Sequence, residues 1–598
     1  MTVDTISATV QKWSTGTTFN DHPSSTASYL YTNIKIRDNA FNVSDAQITL
    51  INPDGKNKNS WSAGDHLKII SNNTDMFYGK VEIPRYSSGG FVINLKANGS
   101  RNELKAVEIT KDNPQSFPIE GSESSTDTVP EIIEYINAYT VHPYLDNFDD
   151  KWTFDIIGPT NNLDFSREVT GTAFVTVSGV TVDRAFSDIS NAVGMTWYVD
   201  DTTQGSVKLY LVPNEPGACN GSSHASYGFD DFQGAEFDAP NNRVKSCLLW
   251  DFDDSNRWNL ADDQNRLLLQ LDANASEYLI LNDTSWTNIG SPSNCNAIME
   301  TMVFFDQSAE QESDVVYSAC IRADLDGSND MDDFYCVELS YGNTDNCKMR
   351  KRRNGSYTTF TDCTISIPSD NNEQHILAIS ARSTSAGVVL NGYVDNELRM
   401  TYTDSSSTIS GGKPGIFFSE IGGAGRNFEV DNIGIFPSTV SYTYDLDSGD
   451  IIDLSGGQEV TTAYNDIKVY GAIAIAAKHR SAAVRNRSPP RPLGEATDTR
   501  SISSYGRRSL TVTNLEVKRD GQAKKSAQKL IHELRKPRVR KTIQIPGTTT
   551  LPNKFEDLIR IECDDTGNSG LYWVREKSWE IGSNGYKVSL VCEERFLE

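Results

Sequence analysis

From Ser28 to Arg37 the chain reads SYLYTNIKIR, with apolar and polar residues in alternation. Successive side chains of a strand point to opposite faces, so this period of two is the mark of a half-buried strand. Ala46 to Ile51, Leu67 to Ile70, Met76 to Ile83 and Phe91 to Leu95 follow in the same manner. Turn signals separate them: NPDG at Asn52 to Gly55, and the pair Gly64-Asp65. Short strands at this spacing predict a small barrel or sandwich for the first hundred or so residues.

The pattern then changes. Pro130 stands where a first helical turn tolerates proline, and Ile132, Ile133, Ile136 and Tyr139 form an apolar stripe behind it. Asp183 is a fitting cap for a second helix through Phe186, Ile189 and Val193, with Gly194 as its stop. Met195 to Val199 and Val207 to Val212 read as a hairpin. From about Leu248 to Phe436 the texture is β throughout. Leu267 to Leu271, Val315 to Arg322, Phe334 to Leu339, Ile376 to Ser380, Val388 to Val394, Gly415 to Phe418 and Phe428 to Ile435 are its candidate strands. So many strands between polar turns predict a two-sheet jelly roll. After Tyr442 the texture returns to α+β. Asp466 to Gly471 reads as a strand, and Lys478 to Arg500, with SPPRP, as a long loop. Ala523, Ala527, Leu530, Ile531 and Leu534 share one helical face that Pro537 ends. Leu558 to Cys563, Tyr572 to Ile581 and Tyr586 to Glu593 read as a closing meander.

At 598 residues the chain is too long for one core. A hydrophobic share of 37% and a charged share of 23% place it among ordinary soluble globular chains. No apolar run approaches the roughly 20 residues a membrane helix needs, and the start, MTVDTISATVQKW, lacks the pattern of a secretory signal. The formal net charge of -26 argues against general or sequence-specific nucleic-acid binding, because phosphates would be repelled. The charge is uneven: Lys478 to Lys541 holds 18 Lys and Arg against 5 Asp and Glu. Such a segment suits contact with an acidic surface, and equally a solvated basic face. The nine cysteines include no CxxC, so no zinc pattern is present. Cys295, Cys320, Cys336, Cys347 and Cys363 cluster in strand-like sequence, where cross-strand disulfides and plain buried thiols are both open readings.

Several stretches, in order, resemble the tail hub or baseplate hub proteins of tailed viruses, phage and archaeal. They are NPDGKNKNSWSAGDHLKI with MFYGKVE; AFSDISNAVGMTWYVDD with VKLYLVP; NDIKVYG with SISSYGRR; and the Ala-rich helix with GLYWVREKSWEIGSNGYKVSLVCEER. Together they span about two thirds of the chain. The interrupting segment resembles a concanavalin-like or laminin-G-like sandwich, through LLWDFDDSNRWNL at its start and NFEVDNIGIF at its end. If those two stretches pair near one another, both ends of the insert meet the host at one edge, as a tolerated insertion needs.

The resemblance implies a mainly β chain with α+β parts: two tube-like β-barrels and α+β hub regions, interrupted by a jelly-roll sandwich. The expected domains are a barrel at 1–105, hub regions at 106–243 and 439–536, the sandwich at 244–438, and a meander at 537–598 that completes the second barrel. It further implies a homotrimer whose partners are the tail tube protein, other tail-tip proteins and a fibre or spike. The protein would be made in the host cytoplasm and carried at the tail tip of the virion. Host-surface glycan would be the partner of the sandwich. The competing readings are a tail-tip glycan depolymerase and a free carbohydrate-binding adhesin.

The residues were weighed for chemistry as well. Retaining glucanases need paired carboxylates ~5 Å apart. Glu429-Val430-Asp431 supplies the first half of such a motif and lacks its second glutamate, which favours a non-enzyme. Asp324, Asp326, Asp330, Asp332 and Asp333 in ADLDGSNDMDDF are dense enough in hard oxygens to suggest calcium, though the EF-hand pattern is not met. An acidic solvated loop is the plainer reading. No other cofactor is implied. Trp258, Trp286, Tyr341 and Tyr357 are candidate stacking faces for a sugar, against the commoner role of aromatics as core. No GxSxG, P-loop or HExxH occurs.

Overall fold

The computed structural model describes residues between 8 and 597; the longest stretches outside the description are 118–154, 158–174, 214–227, 231–249 and 472–492, and shorter gaps interrupt the rest. The first strands are β1 (Ala8–Thr15), β2 (Thr18–Asp21), β3 (Leu30–Asn39), β4 (Asp45–Ile51), β5 (His66–Ser71), β6 (Thr74–Tyr86) and β7 (Val92–Gly99). The alternation seen in the sequence sets their faces: Ala46, Ile48 and Leu50 of β4 and Ile93, Leu95 and Ala97 of β7 are buried, while Gln47, Asn94 and Lys96 are exposed. The aromatic-x-Gly step is a close approach between β6 and β7. A Cβ on Gly79 would meet the Asn98 carbonyl oxygen at 2.5 Å and the Phe77 ring at 2.6 Å, so only glycine fits.

Two short helices follow, α1 (Arg101–Ala106) and α2 (Val182–Ala192), then a hairpin of β8 (Met195–Asp200) and β9 (Lys208–Pro213). The helix expected from Asp183 and the hairpin after it are both present. Asp183, in the first turn of α2, takes a 2.7 Å bond from Arg101 Nε, and that guanidinium lies 4.0 Å above the Trp197 ring. The helix expected near Pro130 lies outside the described residues.

The middle of the chain supplies fourteen described strands: β10 (Trp250–Phe252), β11 (Trp258–Leu260), β12 (Leu267–Leu271), β13 (Ser276–Leu281), β14 (Ala297–Phe305), β15 (Asp314–Leu325), β16 (Met331–Tyr341), β17 (Asn346–Arg353), β18 (Ser356–Thr364), β19 (Glu373–Thr384), β20 (Gly387–Val394), β21 (Glu397–Asp404), β22 (Lys413–Ile421) and β23 (Arg426–Pro437). They form two facing sheets, in the orders β10-β13-β22-β15-β16-β17-β18 and β11-β12-β23-β14-β19-β20-β21. Between the sheets lies an apolar core that includes Leu279, Tyr317, Val337, Met349, Leu377, Leu390, Phe418 and Phe428. The expected jelly roll is therefore present. Its opening stretch lies beside its closing strand, since β11 pairs with β12 and β12 with β23.

The last strands are β24 (Tyr442–Asp445), β25 (Asp453–Gln458), β26 (Asp466–Tyr470), β27 (Leu493–Thr497), then helix α3 (Thr499–Tyr505), β28 (Ser509–Thr513), β29 (Val539–Pro546), β30 (Leu558–Glu562), β31 (Gly570–Gly582) and β32 (Gly585–Leu597). β26, β27 and β28 make a small sheet, so Leu493 to Thr497 is strand where the sequence reads as loop. Ile467 and Val469 of that sheet pack on Ala523, Ala527 and Ile531, three residues of the apolar face read from the sequence. The remaining strands rejoin the N-terminal ones. β31 takes the free side of β3, with Ile34 opposite Ile581 and Ile36 opposite Trp579. The joint sheet runs β2-β1-β5-β6-β7-β4-β3-β31-β32-β29-β25. No sheet closes on itself among the described residues: the strands expected in two tube-like barrels share one open sheet, with one core containing Ile36, Ile48, Leu95, Ile543, Val574 and Leu590. No described helix is long and apolar enough to cross a membrane.

Sandwich and host sheet are locked together. Ile298, Ala378, Tyr393 and Phe436 of the sandwich pack on Leu558, Leu571 and Trp573 of the host, all nearly solvent-free. Arg595 of β32 pairs with Glu300 of β14, both buried, and its guanidinium lies 5.2 Å from the Phe436 ring and 5.1 Å from Trp573. A second anchor is the β20–β21 turn, where Asp395 and Asn396 both have positive φ (55° and 65°), a conformation Asp and Asn tolerate in two-residue hairpins. The turn aims Asp395 into the host. His375 Nδ1 lies 3.0 Å from Asp395 Oδ2, and Arg535 Nη2 donates to Oδ1 at 3.2 Å. Arg535 Nη1 also reaches Asp498 Oδ2 at 3.4 Å, and Lys536 Nζ bonds Glu397 at 2.7 Å. Burial opposes charge on Asp395, but His375, Arg535 and Lys536 more than offset it and hold the carboxyl well below its ordinary range.

Removing one partner of a buried pair strands the other charge, at a cost of about 3–5 kcal/mol. Glu300→Ala should lower unfolding stability by about that much, and Glu300→Ala with Arg595→Met should recover most of it; denaturant titration of both variants checks this. A second expectation concerns acid. On β32 the buried Glu593 meets Arg538, Arg540 and Arg575. Burial raises its carboxyl, but Arg575 and Arg538 more than offset this and bring it to about 2. An unfolded glutamate titrates near 4.3. The stabilisation is thus complete above that value and is lost as pH falls through about 2, roughly 3 kcal/mol in all. The urea midpoint should fall over that window, and fall less in Glu593→Gln.

Candidate functional site

The outer face of the sheet that ends in β16, β17 and β18 carries the densest polar and aromatic grouping of the sandwich. Its placement begins at the β17–β18 turn. Asn354 and Gly355 both have positive φ (46° and 73°), the geometry of a tight two-residue hairpin. That turn sets Arg352 directly opposite Tyr357. Strand alternation then puts Arg350 and Lys348 on the same face, and Phe334, Cys336 and Glu338 beside them on β16.

Arg352 is surrounded by rings. Its guanidinium carbon lies 5.1 Å from the Phe417 ring, 5.5 Å from Tyr357 and 5.9 Å from Phe334. Its Nη1 donates to the Met331 carbonyl at 3.1 Å. The Arg350 guanidinium carbon lies 5.3 Å from the Tyr357 ring, and its Nη1 donates to both Glu338 carboxylate oxygens at 3.0 Å. Glu338 is only 5% exposed. Burial raises its carboxyl above the ordinary value, with Arg350 and Lys348 pulling the other way. Tyr357 itself is 42% exposed, so one of its surfaces is available to a ligand.

The charges of this face are balanced. Lys348 stands opposite Glu338 and Asp362, Arg350 holds Glu338, and Arg352 faces Asp332 at 3.8 Å. Such a face has no surplus cation for an anion. Glu338 is clamped by Arg350, so it is not placed to shuttle protons. Stacking on Tyr357, with polar groups around it, is what the arrangement offers.

A second polar group lies inside the sandwich at one end. Asp404 Oδ2 accepts from the Tyr335 hydroxyl at 2.7 Å and from Lys351 Nζ at 2.8 Å. Burial raises the Asp404 carboxyl, and these hydrogen bonds more than offset it and leave it lowered. Fully buried Arg322 donates to the Ile409 carbonyl at 2.6 Å and to Ser383 Oγ at 2.7 Å. Each of these groups is used up in holding the 405–412 segment, so the cluster is structural.

The residues singled out in the sequence do not gather on one surface. Tyr357 is on the face just described. Trp258 is on β11, in the opposite sheet, and Tyr341 ends β16; their side chains lie outside the description, as does Trp286 altogether. Glu429 and Asp431 fall on β23, again without described side chains. Among the acidic residues, Asp324 stands opposite Asp333 across β15 and β16. Asp324 Oδ1 accepts from the Leu325 amide at 3.0 Å and Asp333 Oδ1 from the Asn354 amide at 2.8 Å. Asp332 faces Arg352, and Asp326 and Asp330 lie outside the described residues. No cluster of three His, Cys, Asp or Glu suited to a metal occurs among the described residues. Arg350, Arg352 and Glu338 were not read from the sequence. Their signal was the period-two run of cations in KMRKRR, followed by the Asn-Gly turn.

No known family and no curated protein matches the chain by sequence. Among solved structures it is similar over 98% of its length to the tail protein from Neisseria meningitidis MC58, with 9% identity, 96% of that chain covered and a TM-score of 0.43. It is similar over 98% of its length to a tail protein of prophage MuSo2 from Shewanella oneidensis, with 8% identity, 97% of that chain covered and a TM-score of 0.39. Over 29% of its length it is similar to a carbohydrate-binding module from Bacillus subtilis, with 16% identity, 86% of that chain covered and a TM-score of 0.21. Tail proteins and a carbohydrate-binding module are thus among its structural neighbours, and at such scores the likeness identifies neighbours and nothing more.

Proposed function

We propose that this chain is a structural protein of a virus tail tip: a trimeric hub that closes the tail tube, anchors fibres or a spike, and holds a lectin-like sandwich toward the host surface. One observation carries the proposal. The two ends of the chain share a single open sheet, while the middle folds as a separate sandwich fixed to that sheet by buried charges. Among the described strands the open sheet ends at β2 and β25, neither of which has a described strand on its outer side. Such edges suit a protein whose neighbours in an assembly cover them. Part of the basic segment from Lys478 to Lys541 would then meet acidic surfaces of a neighbouring protomer or tail protein, while its Arg535, Lys536, Arg538 and Arg540 pair within the chain. The chain would be made in the host cytoplasm and end in the virion.

The sandwich would contribute binding and no catalysis. Tyr357 is its stacking face, framed by Arg350 and Arg352, and the balanced charge around it suits a neutral sugar better than an acidic one.

Light scattering on the purified protein over a range of salt should give the mass of three chains. A persistent monomer at high concentration, with tail partners present, would remove the main support for a hub. Glycan-array binding should weaken about fivefold in Tyr357→Ala, the loss of one stacking contact worth about 1 kcal/mol, with no change in the mass. Release of reducing sugar from host envelope would instead identify a depolymerase.

A further inference from the structure

We propose that Cys320 and Cys336 form a second cross-strand disulfide of the sandwich when the protein matures in an oxidising environment. The two residues are directly opposite one another on β15 and β16. Cys347 and Cys363 stand in the same relation on β17 and β18 and are bonded, with a Cα–Cα separation of 5.1 Å. Directly opposed residues of antiparallel strands lie about 4.5–5.5 Å apart at Cα, inside the range of roughly 4.4–6.8 Å that a disulfide spans. Both thiols belong to the apolar cluster of the outer face, with Phe334, Phe417 and Tyr278. Cys320 Sγ donates to the Ser318 carbonyl at 3.5 Å. No other two of the five free thiols among the described residues, Cys295, Cys320, Cys336, Cys563 and Cys592, share a register position.

The timing follows from burial. Both sulfurs are solvent-free in the folded chain, and burial, followed by the neighbouring Cys336 thiol, raises the Cys320 thiol well above its ordinary range. A sealed, protonated thiol reacts slowly, so oxidation occurs when the face opens by local unfolding, once the chain has left the reducing cytoplasm, or during refolding in an oxidising buffer. The oxidant is a small disulfide such as oxidised glutathione. One cysteine thiolate attacks it, releasing one reduced glutathione and forming a mixed disulfide. The second thiolate attacks that bond, giving the cystine and a second reduced glutathione. Two protein thiols lose their protons and are oxidised, and one glutathione disulfide is reduced. The product would pair β15 with β16 covalently, as β17 is already paired with β18. Four consecutive strands under Tyr357 would then be held by two staples, with Glu338–Arg350 spanning the middle.

The test is disulfide mapping of the full-length protein refolded in a glutathione buffer poised so that Cys347–Cys363 forms completely. Free thiols are alkylated in denaturant. Trypsin with a glutamate-specific protease then cuts after Arg322, Glu338 and Lys348, which places Cys320, Cys336 and Cys347 on three peptides. The expected result is a Cys320 peptide linked to the Cys336 peptide. Complete alkylation of both, in a sample where Cys347 is linked to Cys363, overturns the proposal. So does a link from either one to a different cysteine.

Discussion

The arrangement of the molecule depends on a few charges that are buried where the sandwich meets the sheet built by the chain's two ends. Glu300 with Arg595, and Asp395 with His375 and Arg535, are all less than a tenth exposed. Ions so placed give up their hydration, and the loss is recovered only when geometry and hydrogen bonding are right. The apolar cluster around Trp573 and Phe436 supplies attraction without direction. The ion pairs supply direction: a sandwich rotated against its host would leave four or five charges buried and unmatched. Among the described residues, the backbone pairing between the sandwich and this sheet is Glu397 of β21 parallel to Leu597 of β32. Sheet pairing alone would be too slight to fix the angle.

That constraint explains how so long an insertion is tolerated. β14 and β23, the strands on which Glu300 and Phe436 sit, are neighbours in one sheet. The closing strand β23 runs to Pro437, and β24 begins five residues later beside β30 of the host. The exit from the sandwich, its main contact and the return to the host therefore occupy one place. The host sheet, for its part, is completed only when the C-terminal strands arrive. β3 is an edge until β31 pairs with it, so the first hundred residues depend on the last thirty across the whole insert. Long-range pairing of this kind is formed late and slowly, while the runs β15 to β18 and β19 to β21 of the sandwich, each paired in sequence order, can form first.

How much of this was legible in the sequence differs from element to element. Where one face is wet, alternation was enough: β4, β7, α2 and the last three strands were found from period and turn signals. β17 and β18 were not, because NCKMRKRR and SYTTFTDCT carry few apolar residues, and the charged or hydroxylated side chains that alternate there do not register as a hydrophobic pattern. Leu493 to Thr497 was hidden behind an arginine- and proline-rich stretch. The partner of β3 was beyond reach, since a pairing 540 or so residues distant leaves no local mark. For the same reason the sequence suggested two barrels, one at each end of the chain, where the strands form one open sheet. In the candidate site, Tyr357 was picked as an aromatic and proves exposed. The two arginines near it drew no reading, although the Asn-Gly turn after them fixes which face they share.

The same reasoning bears on binding against catalysis. A sandwich face that hydrolyses glycan needs two carboxylates free to exchange protons or attack carbon. On the face around Tyr357, Glu338 is held by Arg350, Asp332 faces Arg352, Asp333 accepts from a turn amide, and Asp362 stands exposed opposite Lys348. Commitment of this kind holds the strands in register. What the described face leaves open is the exposed surface of Tyr357, with the Arg350 and Arg352 guanidiniums 5.3 and 5.5 Å from its ring. A surface of that sort offers contact to a ring through its flat face and not through a net charge.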